Sequence, residues 1–383
     1  HVLVCDPAGA RLGMSAAPPR MSTRELGRAT LARQGLLERA EAPVTRMVER
    51  LAGMQAQEAR PPFVGLWSRL RGFDPDDLRT ALHDGSLVRA PWLRATLHLV
   101  SADDYRAHRN ALRPALAAAL GVLGARADGL DVDALIPAAQ EILRDGPLTF
   151  NELRPRLAER FPAVDERALG YAARTQLPLI MVPTDDPWGF PRTAAFAPAT
   201  HRLTGALNDD PDPRPLLRAY LAAFGPASAA DAQTWSGLTG LAPVLEGMAR
   251  DLLVLSDERG TVLYDLPDAP RPGADADAPV RFLPDFDNLV LAHADRTRVV
   301  ADEHRPRLVT RNLRVRATFL VDGTVAGTWS VAMRRGVATL TLAPFGRVSR
   351  TALRDIGREA GGLLSLVEPR ARDHAVEIDA QAG

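Results

Sequence analysis

Lysine is absent from this chain: all 47 basic side chains among its 383 residues are arginine. Schiff-base chemistry through a lysine amine is therefore excluded. The chain also lacks the Gly-Lys-Ser/Thr phosphate loop of nucleotide hydrolases. Cysteine is nearly absent too. Cys5 alone permits no internal disulfide and points to a reducing cytoplasm. Net charge is missing as well, because 47 acidic residues balance the arginines, so nothing draws the whole molecule toward nucleic acid. No window approaches the ~20 apolar residues of a membrane span, and the Ala/Leu-rich stretch 115–125 is too short. Asp6 and Arg11 interrupt the apolar start, so residues 1–20 are expected to form an unstructured leader rather than a secretory signal, with Met14 or Met21 as the true start. The eight histidines are scattered without metal-ligand spacing. No Gly-x-Ser-x-Gly elbow occurs either. Neither metal nor serine hydrolysis is favoured, and no cofactor is expected.

What is present is ordinary in bulk and uneven in detail. A hydrophobic content of 46% and a charged content of 25% suit a globular protein of two to four domains. Between Arg281 and Arg358 there are 14 arginines against 7 acids, whereas Asp257 to Ala278 holds 6 acids against 2 arginines. A neutral chain can therefore present a basic C-terminal third.

The periodicity predicts helices from Ser22 to Gln34, opened by Ser22-Thr23-x-Glu25, then from Pro43 to Met54, from Phe63 to Leu70 and from Asp74 to His83. Leu87 to Val100 alternates as a hairpin, with Arg94, Thr96 and His98 on one face. A helix from Ala102 to Ala119 leads away. Two further sets of three helices and a hairpin follow. Their turns Gly146-Pro147-Leu148-Thr149 and Gly225-Pro226-Ala227-Ser228 lie 79 residues apart and mark an internal repeat. The reading is an α+β chain of three tandem winged-helix units at 21–125, 126–208 and 209–270. A Pro/Asp/Ala linker separates them from a small β-barrel at 278–372, closed by a helix from Val348 to Leu366. Winged helices are nucleic-acid modules, and the Arg334-Arg335 hairpin tip either enters a groove or is simply a solvated turn.

The stretch Met54-Gln55-Ala56-Gln57-Glu58, followed by Arg60-Pro61-Pro62-Phe63, carries the chemistry. On its own a Gln-x-Gln is usually surface decoration. On extended backbone, however, Gln55 and Gln57 share a face while Ala56 points inward. In a helix they would diverge by about 200°. The Pro61-Pro62 pair disfavours helix in the residues before it. Each carboxamide accepts and donates hydrogen bonds, so a facing pair can hold a water by its proton. Neither is a useful base near neutral pH.

These residues resemble a bacterial winged-helix DNA-binding family, the AlkZ-type DNA glycosylases, which includes enzymes of azinomycin B resistance and of crosslink unhooking. The resemblance rests on Met54 through Pro62, on Arg94-Ala95-Thr96-Leu97-His98-Leu99-Val100, and on Phe282-Leu283-Pro284-Asp285-Phe286-Asp287-Asn288-Leu289 through Asp295-Arg296; it spans roughly residues 22–370. It implies a C-shaped molecule in which Gln55 and Gln57 hold the catalytic water. Gln57, where another branch of the family has Asp, implies the two-amide branch linked to natural-product self-resistance. The implied activity is monofunctional release of N7-alkylated purines, including bulky adducts and interstrand crosslinks, from double-stranded DNA. Such a purine is already cationic and departs neutral, so positioning a water suffices. An open cleft accommodates a lesion too bulky to flip into a snug pocket. A lysine-dependent lyase step is excluded by composition. Glu58 is the rival water-activating group. His98 either faces the cleft or is a satisfied wing histidine. Arg60, Arg94, Arg334 and Arg335 are the expected DNA contacts. A cytoplasmic, nucleoid-associated monomer is expected. The alternative on the same scaffold is a DNA-binding regulator without catalysis.

Overall fold

Ser22 and Glu25 satisfy each other's backbone. Glu25 accepts from the Ser22 N–H at 2.7 Å and Ser22 Oγ accepts from the Glu25 N–H at 3.2 Å, so α1 (Thr23–Arg33) begins where the capping box requires. The computed structural model describes residues 17–379, so most of the expected leader lies outside the described residues. Its last part does not: Ser256 donates to Pro19 O and accepts from Met21 N–H. The end of helix α1 is tied to the unit that follows it, where Arg50 of the next helix donates to Arg33 O at 2.6 Å and Ala32 O at 2.8 Å. The helix also packs on the third unit and the C-terminal sheet, where Arg33 forms a buried two-bond ion pair with Asp265 at 2.6 and 2.8 Å.

The first unit is α2 (Val44–Arg50), β1 (Met54–Gln55), α3 (Pro61–Arg69), α4 (Pro75–His83), β2 (Leu87–Pro91) and β3 (Leu97–Ser101), with sheet order β1-β3-β2. The expected single helix after it is split into α5 (Ala102–His108) and α6 (Arg113–Ala118), because Pro114 is tolerated only in a first turn. The second unit comprises α7 (Val132–Ile142), α8 (Phe150–Arg160), α9 (Glu166–Gln176), β4 (Leu179–Met181) and β5 (Phe196–Pro198). The third comprises α10 (Arg214–Phe224), α11 (Ala229–Ser236), α12 (Leu241–Met248), β6 (Leu253–Ser256) and β7 (Val262–Asp265).

The repeat is visible in the pairing. Leu148 bridges Phe196 of β5, and Ala227 bridges Tyr264 of β7. In the first unit Gln55 lies opposite His98 of β3. Each paired residue is the second after a glycine (Gly53, Gly146 or Gly225), so the Gln-x-Gln stretch occupies the place that a Gly-Pro turn fills in the other two units. The cores are shared between units: Met47, Phe63 and Leu78 of the first pack in one cluster with Leu153, Leu169 and Phe196 of the second. Trp92 and Tyr105 join Tyr220, Phe224 and Trp235 in another. One expected strand is shorter than its pattern. Residues 190–195 form a loop rather than strand, because Pro187 and Pro191 interrupt pairing.

The C-terminal part consists of β8 (Arg281–Leu283), α13 (Arg305–Leu308), β9 (Thr318–Val321), β10 (Thr324–Arg334), β11 (Val337–Pro344), α14 (Arg350–Val367) and β12 (Asp373–Ile378). The sheet order is β12-β11-β10-β9-β8, with β8 and β12 unpaired to one another. The expected barrel is therefore not closed. The reason lies in α14, whose Ile356, Ala360, Leu363 and Leu364 cover Phe282, Leu340 and Leu342 and bury the face that a barrel would bury within itself. Strand β12 was not foreseen. It pairs in parallel with β11, and its residues are mostly exposed, so it carries no hydrophobic alternation to read. Among the described residues no helix is long and apolar enough to cross a membrane.

Candidate active site

The motif's backbone is held from two sides. Gln55 pairs with His98, and the Ala56 N–H donates to Leu97 O at 2.8 Å. Opposite, Arg89 donates from Nε to Ala56 O at 2.8 Å and from Nη2 to Gln57 O at 3.0 Å, with its guanidinium 5.1 Å over the Phe190 ring. Burial pulls the Arg89 pKa down to about 10, opposed by the nearby Glu58 charge, so Arg89 remains charged. Pairing stops at Ala56, which is fully buried as expected, and the chain bends at Gln57 toward α3.

The two carboxamides are anchored differently. Gln55 is buried and its Oε1 accepts from Arg94 Nη2 at 2.8 Å; Gln57 is exposed and its Oε1 accepts from the Leu97 N–H at 3.3 Å. A carbonyl oxygen has two lone pairs, so each retains one acceptor position. They open on different cavities rather than on one. Gln55 lines a space of about 10 Å³ with Gln34, Arg69, Asp287 and Asn288, roughly the room one water needs. Gln57 lines a cleft of about 420 Å³ against the loop that precedes β5.

Beneath Gln55 lies a polar network that the sequence did not assign to the site. Arg69 and Asp287 form a buried ion pair with both bonds at 2.9 Å, and Gln34 Oε1 accepts from Arg69 Nη2 at 3.2 Å. Asn288 Nδ2 donates to Gly53 O at 3.3 Å, tying the loop after β8 to the start of the motif. The available signal was the run Asp285-Phe286-Asp287-Asn288, legible as a motif but not as a partner of Gln55.

Arg94, expected on DNA, turns inward. It holds a left-handed backbone (φ 53°), and its guanidinium donates to Trp235 O and Gln55 Oε1, with Asn288 Oδ1 at 3.5 Å. Burial, reinforced by Arg296, lowers its pKa to about 10. His98 is fully buried in the central strand and does not face the cleft; its Nδ1 lies 3.1 Å from Thr96 O and its Nε2 has no partner. Burial and then the Arg94 charge hold this imidazole at a pKa of about 3, against the Thr96 carbonyl, so it is neutral at pH 7. Glu58 is engaged by Arg314 through bonds of 2.7 and 3.3 Å, and Arg314 also reaches Asp285 at 3.1 Å. Arg60 is half-exposed at the start of α3. Arg334 and Arg335 sit fully outside at the β10–β11 tip, where Arg334 pairs with Val337 and the turn is Arg335 (φ 49°) and Gly336 (φ 82°).

Comparison with known proteins gives a consistent set of relatives. The sequence matches the family described as DNA glycosylase AlkZ-like over residues 48–366. The interstrand DNA cross-link repair glycosylase of Streptomyces sahachiroi is 26% identical over 363 residues, covering 89% of this chain and 95% of that protein. The solved structure of Streptomyces sahachiroi DNA glycosylase AlkZ superposes with a TM-score of 0.76 at 23% identity, over 94% of this chain and 100% of the other.

Proposed function

This chain belongs to the AlkZ-like DNA glycosylase family, and on that premise we propose that it hydrolyses the N-glycosidic bond of N7-alkylated purines, bulky adducts and interstrand crosslinks included, with one water positioned by Gln55 and Gln57. The observation that carries this reading is the lack of a free acid or base around the pair. Glu58 is tied to Arg314, Asp287 is tied to Arg69, and His98 is buried and neutral. A site with amides alone offers no proton to a leaving base, so it suits a purine that alkylation at N7 has already made cationic. A water O–H donating to a glutamine oxygen turns its lone pair toward C1′ of the developing oxocarbenium sugar. Because the two carboxamides open on separate cavities, this reading requires Gln57 to leave the Leu97 N–H and turn toward the water-sized space beside Gln55, with Gln55 then retaining the water and Gln57 orienting it. The chemistry leaves an abasic site, and a chain without lysine cannot cut further through a lysine imine.

We read the three helical units as winged helices and the exposed Arg334-Arg335 tip as the element that enters a groove, with Arg60 on the backbone. The test is release of 7-methylguanine from methylated duplex DNA by wild type, Gln55→Ala, Gln57→Ala and Glu58→Gln. The reading expects the two glutamine variants to lose about 100-fold in rate and Glu58→Gln to lose little. Equal rates in all four proteins would remove the glutamines from the mechanism, and tight DNA binding with no base release by wild type would leave a DNA-binding protein without catalysis.

A further inference from the structure

Leu313 has no account in the fold. It is 80% exposed, more than any other large apolar side chain among the described residues. Its backbone is left-handed (φ 58°), a region that a Cβ disfavours and that glycine or asparagine fills more readily. The turn that carries it is nevertheless closely built. Val309 bridges Val315, and the Thr310 N–H donates to Arg314 O at 2.9 Å. The Leu313 N–H donates to Thr310 O at 2.9 Å, and the Arg314 N–H donates to Thr310 Oγ1 at 3.1 Å. A well-formed turn therefore holds an apolar side chain out in water. Its surroundings are basic: from His304 to Arg316 there are five arginines and no acid. Arg311 and Arg316 are exposed, and among the described residues neither guanidinium has a partner. The turn also stands at the site. Arg314 reaches from it to Glu58 at 2.7 Å and to Asp285 at 3.1 Å, and the Phe286 N–H donates to Val315 O at 3.2 Å. Because Thr318 of β9 lies opposite Thr328 of β10, the turn leaves the sheet at the same end as the run of β10 toward Arg334.

Resting on the glycosylase reading above, we infer that Leu313 is an apolar wedge that enters the base stack beside the alkylated purine, with Arg311 and Arg316 on the flanking phosphates. A duplex complements this turn in both respects. The space between base planes is apolar, and phosphates border it on each strand, so one aliphatic tip between two unpaired guanidiniums matches it. An apolar groove on a protein would take the leucine and leave both arginines without anions. Opening one base step bends the duplex around the tip. The Arg314 bonds to Glu58 hold that tip at a fixed distance from the Gln-x-Gln stretch, so the step opens at the nucleotide whose sugar the glutamines address.

The test uses a duplex with one 7-methylguanine on a 2′-fluoro sugar that resists hydrolysis and a 2-aminopurine beside it, whose fluorescence rises when it unstacks. With the duplex saturated, wild type should raise the fluorescence, Leu313→Ala should lose the rise, and Leu313→Met should restore it. The melting temperature of Leu313→Ala without DNA should not fall below that of wild type. In binding measured by anisotropy, the double substitution Arg311→Ala with Arg316→Ala should lower the slope of log affinity against log salt by about 1–2, and Leu313→Ala should leave that slope unchanged. No rise with wild type overturns the wedge, and so does a rise that survives Leu313→Ala. A lower melting temperature for Leu313→Ala overturns it by returning the side chain to the protein's own packing. An unchanged salt slope in the double variant takes the turn off the DNA. Self-association of wild type that Leu313→Ala abolishes assigns the turn to a second copy of the chain and overturns the wedge as well. If wild type unstacks the probe through Leu313 but releases no base from methylated DNA, the wedge stands and the glycosylase reading falls.

Discussion

Arg94 separates two accounts of this site. Sequence order places it on the face of the first hairpin with Thr96, where an arginine would meet phosphate. The structure places its guanidinium on Gln55 Oε1 at 2.8 Å and on the Trp235 carbonyl. Replacing it by methionine keeps the stem and removes both charge-assisted bonds, each contributing about 1.5–3 kcal/mol. The substitution also removes the cost of burying the charge. The fall of its pKa from the ordinary arginine range to about 10 corresponds to roughly 3 kcal/mol against the charged form. The net loss of stability is therefore modest, about 0–3 kcal/mol, and Arg94→Met should fold. On the proposed mechanism catalysis should suffer more, because the Gln55 oxygen proposed to retain the water loses the donor fixing it; a misplacement on the order of 1 Å costs about 100-fold. The assay pairs single-turnover release of 7-methylguanine with the slope of log affinity against log salt concentration. The expected outcome is a rate lowered about 10–100-fold with the salt slope unchanged. A slope reduced by about 0.9 with the rate unchanged would put Arg94 on a phosphate and refute the argument.

Three other outcomes follow from the same structure. Replacing both Arg334 and Arg335 by alanine should weaken binding to all duplexes alike and lower the salt slope by about 1–2, with melting temperature unchanged, because both side chains are exposed. Asp287→Ala leaves Arg69 charged and buried without its partner, so unfolding in urea should show a loss of about 3–5 kcal/mol. Asp104 is held at a pKa of about 6, chiefly by burial and then by Glu49 and Asp103, against the Ser101 hydroxyl. The folded carboxyl thus keeps its proton up to about pH 6 while the unfolded one releases it near 3.8, so the folded state gains from this group as pH falls from 6 to 4. Asp104→Asn should therefore be more stable than wild type at pH 8, by about 1–3 kcal/mol, and equal to it at pH 4; an unchanged difference across that range would show that the carboxyl is not buried in the folded state.

Local physics was legible wherever one short segment decided the outcome. Ser22 with Glu25 announced a helix start that the structure keeps. The two Gly-Pro turns revealed a repeat, and the pairing of Leu148 and Ala227 with their hairpins confirms their equivalence. The third copy of that turn, Gly53-Met54-Gln55, escaped notice because it lacks the proline and the capping hydroxyl. His98, left open between the cleft and the wing, was decided by packing. Alternation says which residues share a face, but β3 lies between two strands and is covered on both faces, so its outward polar residue is buried as well. The open sheet in place of a barrel depended on where α14 packs, which no strand pattern encodes.

By itself the sequence determined that no lysine amine takes part in the chemistry and that a cysteine is available at one position alone. It also determined that Gln55 and Gln57 lie on non-helical backbone, because Ala56 and the following prolines act over a few residues. Only the tertiary structure decided which charges are free. Arg94, Glu58, Arg69 and Asp287 are separated from their partners by tens to hundreds of positions, and whether each faces DNA or another side chain depends on packing between units. An ion pair has no period along the chain, so it leaves no pattern until the fold brings its two ends together.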